Sequence, residues 1–259
     1  MSDYEKIRVE PFLDGHGLHV VLNAPKANVL DSAMMGEINR LLDSLETKNE
    51  LKLKLICFSG EGKHFSFGAS VEEHVGERAA AMLEGFHGMF LRMAKLGVPT
   101  AAAVRGQCLG GGLELAAFCN RVVAGHDAVL AQPEIQLAVL PPIASLILPF
   151  RIGQARADDV NLTGRNFGAE EARAIGLVDD IAEDPVATVE AWAAEQLGKK
   201  SAAALRCANR ASRWHFNKVL STEIKAMEHL YLEDLMGTHD ANEGLTAFLA
   251  KRKPAWKHS

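Results

Sequence analysis

The stretch VPTAAAVRGQCLGGGLELAAFC, Val98 to Cys119, decides how this chain folds. Its first part, VPTAAAV, is a short apolar run of the kind found in a strand buried on both faces. Three consecutive glycines follow, Gly110, Gly111 and Gly112, and then a helical pattern whose first turn carries a carboxylate, Glu114. Glycine weakens helices and strands alike, so three together need a reason. Strand, glycines, helix is the geometry of an anion-binding helix start. The first N–H groups of a helix lack intrahelical partners, and the helix dipole favours negative charge there. A phosphate fits poorly, because the stretch lacks the Lys-Ser/Thr of a P-loop and does not match G-x-G-x-x-G. An oxyanion, a carbonyl oxygen gaining charge during reaction, suits Glu114 better. A carboxylate so placed repels a phosphate, but it can move a proton beside an enolate-forming carbonyl. Taken alone, the segment has a plainer reading: tight helix–strand packing, with Glu114 as a partner of the helix dipole.

Outward from this stretch, Leu18–Leu22 reads as a strand ended by Asn23-Ala24-Pro25. Asp31 reads as a helix N-cap, with Met34, Met35, Ile38, Leu41, Leu42 and Leu45 at helical spacing behind it. Leu53–Phe58 is a second strand, cut off by Ser59-Gly60-Glu61-Gly62. The loop KHFSFGASVEEH (63–74) follows, then a long helix over about 77–95. RVVAG and AVLA are short strands around a His126-Asp127 turn. This alternation predicts an α/β fold with largely parallel strands covered by helices. From Ala169 onward the patterns are helical: AEEARAIG, PVATVEAWAAEQL, SAAALRCANRAS, an amphipathic stretch from Lys218 to Met236, and a short helix over Glu243–Lys251. The expected layout is an α/β core followed by a helical C-terminal part.

Composition narrows the class of function. With 259 residues, 48% of them apolar, the chain can bury a large core. A net charge of -5 opposes nucleic-acid binding, which needs a basic surface. Cys57, Cys108, Cys119 and Cys207 form no C-x-x-C pair; three lie in apolar runs and read as buried thiols rather than a disulfide framework or zinc site. The polar start MSDYEKIRVE has neither the apolar h-region of a signal peptide nor the Arg/Ser-rich look of a transit peptide, and no apolar run reaches the roughly 18 residues of a membrane span. The expectation is a soluble protein of a reducing cytoplasm.

Two further segments point to one chemistry. Glu134 stands in AQPEIQLAVLPP, again in apolar company. HFSFGAS offers Gly68 and Ala69, where a second backbone N–H can face the same oxygen as the glycine-rich helix start. Two N–H donors and two carboxylates suit the chemistry of an acyl thioester. In order and spacing, LNAPKANVLD, GKHFSFGAS, VRGQCLGGGLELAAFCNRVVAGHDAVLAQPEI, EEARAIGLVDDI and ANEGLTAFLAKRKPAW resemble segments of the enoyl-CoA hydratase/isomerase (crotonase) superfamily. The resemblance spans nearly the whole chain. It implies a spiral of ββα units over 1–195 and a helical C-terminal region over 196–259 that helps form trimers, commonly paired into hexamers. It implies Glu114 and Glu134 as catalytic carboxylates, and the amides of Ala69 and Gly111 as donors to the thioester oxygen. It also implies Lys26, Ala27, Phe67, Gly68, Ser70, Gly110, Leu140, Pro141 and Ile143 as positions facing the acyl-CoA. No metal is implied, and no cofactor apart from the CoA of the substrate. Glu114, at the helix start, is expected to be the ionised carboxylate.

Three departures from the family pattern shape the expected substrate. Ser70 replaces the usual aspartate of the oxyanion loop, and Glu72 a common positive charge. AVLPPIAS (138–145) replaces G-x-x-P-G-x-G-G, with Pro142 expected to stiffen a loop and Leu140 and Ile143 expected to wall the acyl pocket. Phe65, Phe67, Phe86, His87 and Phe90 crowd the first loop and the helix after it. Of these, Phe86 and Phe90, four apart, read as core, and His87 as a surface or hydrogen-bonded histidine. Lys251 and Lys253 read as a solvated face. Together the departures resemble the subgroup that hydrates alicyclic dienoyl-CoA thioesters in anaerobic benzoyl-CoA degradation. That implies cyclohexa-1,5-diene-1-carbonyl-CoA as substrate and 6-hydroxycyclohex-1-ene-1-carbonyl-CoA as product. The alternatives are a hydratase of short linear enoyl-CoA, an acyl-CoA isomerase or hydrolase, and a non-catalytic relative of the same fold.

Overall fold

A computed structural model describes residues 4–47, 52–74 and 78–259 of the chain. The strands are β1 (Ile7–Phe12), β2 (Gly17–Leu22), β3 (Leu55–Gly60), β4 (Thr100–Val104), β5 (Gln107–Leu109), β6 (Arg121–Ala124), β7 (Val129–Ala131), β8 (Phe167–Gly168) and β9 (Asp180–Ile181). They form a six-stranded sheet in the order β1-β2-β3-β4-β6-β9 and a three-stranded sheet in the order β5-β7-β8. β1 and β2 are an antiparallel hairpin; from β2 to β9 the larger sheet is parallel. In the smaller sheet β5 and β7 are parallel, and β8 is antiparallel to β7.

The helices are α1 (Ser32–Thr47), α2 (Arg78–Leu96), α3 (Gly111–Phe118), α4 (Pro142–Ile152), α5 (Gln154–Thr163), α6 (Ala169–Ala174), α7 (Pro185–Gln196), α8 (Ala202–Ser212), α9 (Trp214–His229) and α10 (His239–Leu249). The ββα rhythm is visible in β4-β5-α3 and again in β6-β7-α4. In each unit the first strand joins the large sheet and the second the small one, so the chain winds as a spiral.

Period-two side-chain alternation explains why the large sheet is covered on both faces. Ile56, Phe58, Ala102 and Val104 face the main core, which also holds Met34, Ile38, Met89 and Leu113. Leu55, Cys57, Ala101 and Ala103 face the other way, against Val189, Ala193 and Leu197 at the α7 end. Leu220 and Ile224 of α9, Tyr231, and Leu245 of α10 join the main core, so the C-terminal helices close over it. Asp31 caps α1 as its sequence suggests, its Oδ1 accepting from Met34 N at 2.8 Å.

Several elements differ from the sequence expectation. β1 was not foreseen, because Arg8 and Glu10 alternate with apolar residues on an edge strand where one side meets water. β5 is a strand of only three residues between β4 and α3. β6 and β7 lie around the expected turn but belong to different sheets. The largest correction concerns 138–145. Only its beginning is a loop: Pro142 opens α4, where its missing N–H is not needed. The amphipathic stretch begins earlier, at Trp214, and widens into a π-helical turn over Leu230–Leu235. Cys57, Cys108 and Cys119 are buried and Cys207 is exposed.

Candidate active site

The three glycines each admit a group that a side chain would displace. A Cβ on Gly110 would lie 2.6 Å from Glu134 Oε1, and one on Gly112 would lie 2.8 Å from Ser66 Cβ. On Gly111 it would meet the Phe86 ring at 3.0 Å and Ala69 N at 3.1 Å. Close approach is therefore the reason for the triplet. It brings a carboxylate, a second loop and an aromatic ring against the start of α3.

That second loop is stitched in place by backbone bonds and one hydroxyl. Ser66 N donates to Gln107 O at 3.1 Å and Leu109 N to Ser66 O at 2.9 Å, tying the loop to β5. Ser66 Oγ donates to Asn28 O at 2.7 Å and accepts from Gly68 N at 3.0 Å. Gly68, at φ +94°, then turns the chain so that Ala69 faces α3. A Cβ on Gly68 would sit 3.1 Å from Gly111 N, so the amides of Ala69 and Gly111 are close neighbours. Neither amide has a hydrogen-bond acceptor among the described residues.

Ala69 and Gly111 border one cavity, open to solvent at its mouth. Glu114 and Glu134 border the same cavity. Glu114 is the fourth residue of α3, and its Oε1 accepts from Ala144 N at 2.7 Å, at the start of α4. Glu134 sits in a 3-10 turn, Pro133–Leu137, directly after β7. Its Oε1 accepts from Gln132 Nε2 at 3.0 Å, while its Oε2 is buried with no protein partner among the described residues. Burial raises the affinity of both carboxyls for a proton. For Glu114 the nearby charge of Glu134 adds to this, and the N–H groups of Ala144 and Ile143 oppose it. For Glu134 its own backbone N–H and Gln132 oppose it. Two carboxyls this close and this dry hold a shared proton into the neutral range. At Glu114, burial and the charge of Glu134 work against the pull of the helix start, and the proton belongs to the pair.

Of the residues singled out in the sequence, Phe67, Gly68, Ala69, Gly110, Gly111, Glu114, Glu134, Leu140 and Pro141 all border this one cavity. Ile143 does not. Its side chain is fully buried in the main core, because α4 has already begun and turns it away. Lys26, Ala27 and Ser70 lie beside the cavity rather than in its wall. Lys26 is exposed, Ala27 O accepts from Phe67 N at 2.9 Å, and Ser70 O bonds His74 Nδ1 at 2.7 Å. Phe86, read as core, is both buried and part of the cavity wall. Phe90 is core, edge-on to Phe86 and to Phe118 with ring centres 5.0 and 5.4 Å apart. His87 is buried and bonded through Nδ1 to Glu228 Oε1 at 2.9 Å. Glu72, Lys251 and Lys253 are exposed.

Sequence reasoning missed Ser66, His74, Gln132 and Tyr231. Ser66 and Gln132 carried a signal, being polar residues inside the segments that position the second loop and Glu134. Tyr231 carried none, since it lies in a stretch that reads as an ordinary amphipathic helix.

Paired buried carboxyls opposite two free amides on one cavity belong to a class of acyl-thioester enzymes, and the comparisons with known proteins agree. Residues 17–259 match the model of the Enoyl-CoA hydratase/isomerase family, and the chain belongs to that family. Among its relatives, a cyclohexa-1,5-dienecarbonyl-CoA hydratase of Thauera aromatica is 44% identical over 95% of this chain and 94% of its own length. A probable enoyl-CoA hydratase of Mycobacterium tuberculosis is 35% identical over 98% of this chain and 99% of its own. In fold, the chain is similar to the crystal structure of an enoyl-CoA hydratase from Mycobacterium avium subsp. paratuberculosis, with a TM-score of 0.85 at 22% identity over 98% of this chain and 99% of that one.

Proposed function

We propose that this chain is a hydro-lyase that adds water to a conjugated acyl-CoA thioester, with cyclohexa-1,5-diene-1-carbonyl-CoA as substrate and 6-hydroxycyclohex-1-ene-1-carbonyl-CoA as product. The observation that carries the hydratase reading is the pair Glu114, a buried residue, and Glu134, whose Oε2 is buried, on the same cavity as the unpartnered amides of Ala69 and Gly111. The 44% identity to the Thauera aromatica hydratase supports the cyclic diene over a linear chain.

In this reading the thioester oxygen lies between the amides of Ala69 and Gly111, and water sits between the two carboxyls. The water oxygen forms a bond to the β-carbon, and its proton passes to the ionised carboxylate. The π pair moves through the conjugated system onto the thioester oxygen, where the two amides hold the charge. Losing one such donor costs about 3–4 kcal/mol of transition-state stabilisation. The pair then returns, and the carbon at the far end of the diene takes the proton of the neutral carboxyl. One water is added, the pair ends with the single proton it began with, and no electrons are exchanged, so no redox cofactor is required. The helical region 196–259, with Trp214, Phe248 and Trp256 exposed, serves contacts between copies of the chain in this proposal. No helix among the described residues is long and apolar enough to cross a membrane.

Steady-state rates with the cyclic dienoyl-CoA and with crotonyl-CoA test the substrate. A higher kcat/KM for the cyclic thioester is expected. Much faster hydration of crotonyl-CoA would assign the chain to linear enoyl thioesters instead.

A further inference from the structure

The cavity wall is mainly apolar, yet besides the two free amides it holds two buried side-chain polar atoms with no protein partner among the described residues: Glu134 Oε2 and the hydroxyl of Tyr231. Tyr231 is 1% exposed. Buried polar atoms are nearly always paired, and those that are not need an explanation. The two are complementary. A carboxylate oxygen only accepts, whereas a phenol can donate. They are also close enough for the charge of Glu134 to bear on the ionisation of the phenol.

The backbone around Tyr231 is unusual as well. It lies in the π-helical turn Leu230–Leu235 that breaks the regular winding after α9. Such turns are rare and often found at functional positions. His74 borders the same cavity, with its ring centre 6.3 Å from that of Tyr231. Its Nδ1 bonds Ser70 O, and no hydrogen bond joins the imidazole to the phenol.

An oxygen that accepts from Tyr231 and donates to Glu134 Oε2 would satisfy both atoms at once. Building on the hydratase reading, we propose that Tyr231 donates a hydrogen bond to the oxygen of the reacting water, and to the same oxygen once it is the product hydroxyl. Glu134 Oε2 takes the proton on the other side, so the oxygen is aimed by three groups rather than by the two carboxyls alone. A saturated or unsaturated acyl group without that hydroxyl makes no such bond. Tyr231 therefore distinguishes the hydroxylated product from other thioesters that fill the cavity equally well.

The test is Tyr231→Phe, which keeps the ring and its packing. Affinities for 6-hydroxycyclohex-1-ene-1-carbonyl-CoA and for cyclohexanecarbonyl-CoA are measured on wild type and variant, together with kcat and KM. The variant is expected to bind the hydroxylated thioester about tenfold more weakly, the worth of one buried hydrogen bond. It should bind the saturated thioester as wild type does and lose kcat by about tenfold or more, with KM little changed. Because both ligands are compared on one protein, a general loss of structure lowers both affinities together, and that outcome overturns the proposal. So does a variant with wild-type kcat and wild-type preference for the hydroxylated ligand. A wild-type protein that binds neither thioester would overturn the hydratase reading itself, and this inference with it.

Discussion

Glu114 shows how one side chain sets function against stability. It is buried, it faces a second carboxyl, and the backbone N–H groups of Ala144 and Ile143 only partly offset this. Its pKa, like that of Glu134, is raised in the folded state. Each therefore binds its proton more tightly folded than unfolded. That contribution to stability is fully present below the unfolded carboxyl pKa and is lost as pH rises through the raised folded values. Glu114→Gln keeps an acceptor for Ala144 N and removes the buried charge. Its melting temperature is expected to exceed that of wild type at pH 8, with the gap closing toward pH 4. A lower melting temperature at pH 8 would contradict the assignment of a strained buried carboxyl. Catalysis should move the other way. Glu114→Gln and Glu134→Gln are each expected to lower kcat by roughly a hundredfold or more, with modest change in thioester affinity. Full turnover in either variant would remove that glutamate from the chemistry. The shared proton also fixes the pH profile: kcat should fall on the alkaline side as the pair loses it, at a pH above the ordinary carboxyl range.

At the scale of elements, the site is a meeting of starts and turns. The start of α3 supplies one amide and Glu114, the start of α4 holds Glu114, and the turn after β7 supplies Glu134. The loop before α2 supplies the other amide and depends on Ser66. In Ser66→Ala, Gly68 N and Asn28 O lose their bonds to Ser66 Oγ. A cost of about 1–3 kcal/mol in stability is expected, visible as a lower melting temperature. A kcat loss larger than any change in KM should accompany it, since the amide of Ala69 is no longer held. An unchanged kcat would show that the loop keeps its shape without the hydroxyl. These elements were legible to different degrees for physical reasons. The β4–α3 segment declares itself because three glycines in a row have few uses. Asp31 declares α1 because capping is a local bond. β1 hides because an edge strand can alternate charge with apolar residues, and α4 hides because Pro141-Pro142 looks like a loop until the second proline is seen to open a helix. The π-helical turn under Tyr231 is a product of tertiary packing and has no local signature.

Across the whole molecule, the spiral of two sheets gathers residues from 67 to 245 of the chain around one cavity. Its two carboxyls and two amides could be named in the sequence because their segments have distinctive composition and order. The acyl group was harder to read, because the cavity shape depends on Phe86, Tyr231 and Leu245, which lie on three different elements and look like ordinary core residues. Within 138–145, Leu140 and Pro141 border the cavity and Ile143 is turned into the core. The central claim is that water is added to a conjugated ring thioester. Its most direct test is the mass of the product when the purified protein acts on cyclohexa-1,5-diene-1-carbonyl-CoA in heavy-oxygen water. A thioester heavier by one labelled water is expected. An intact thioester of unchanged mass after full conversion, or free CoA released alongside a labelled carboxylic acid, would contradict the account.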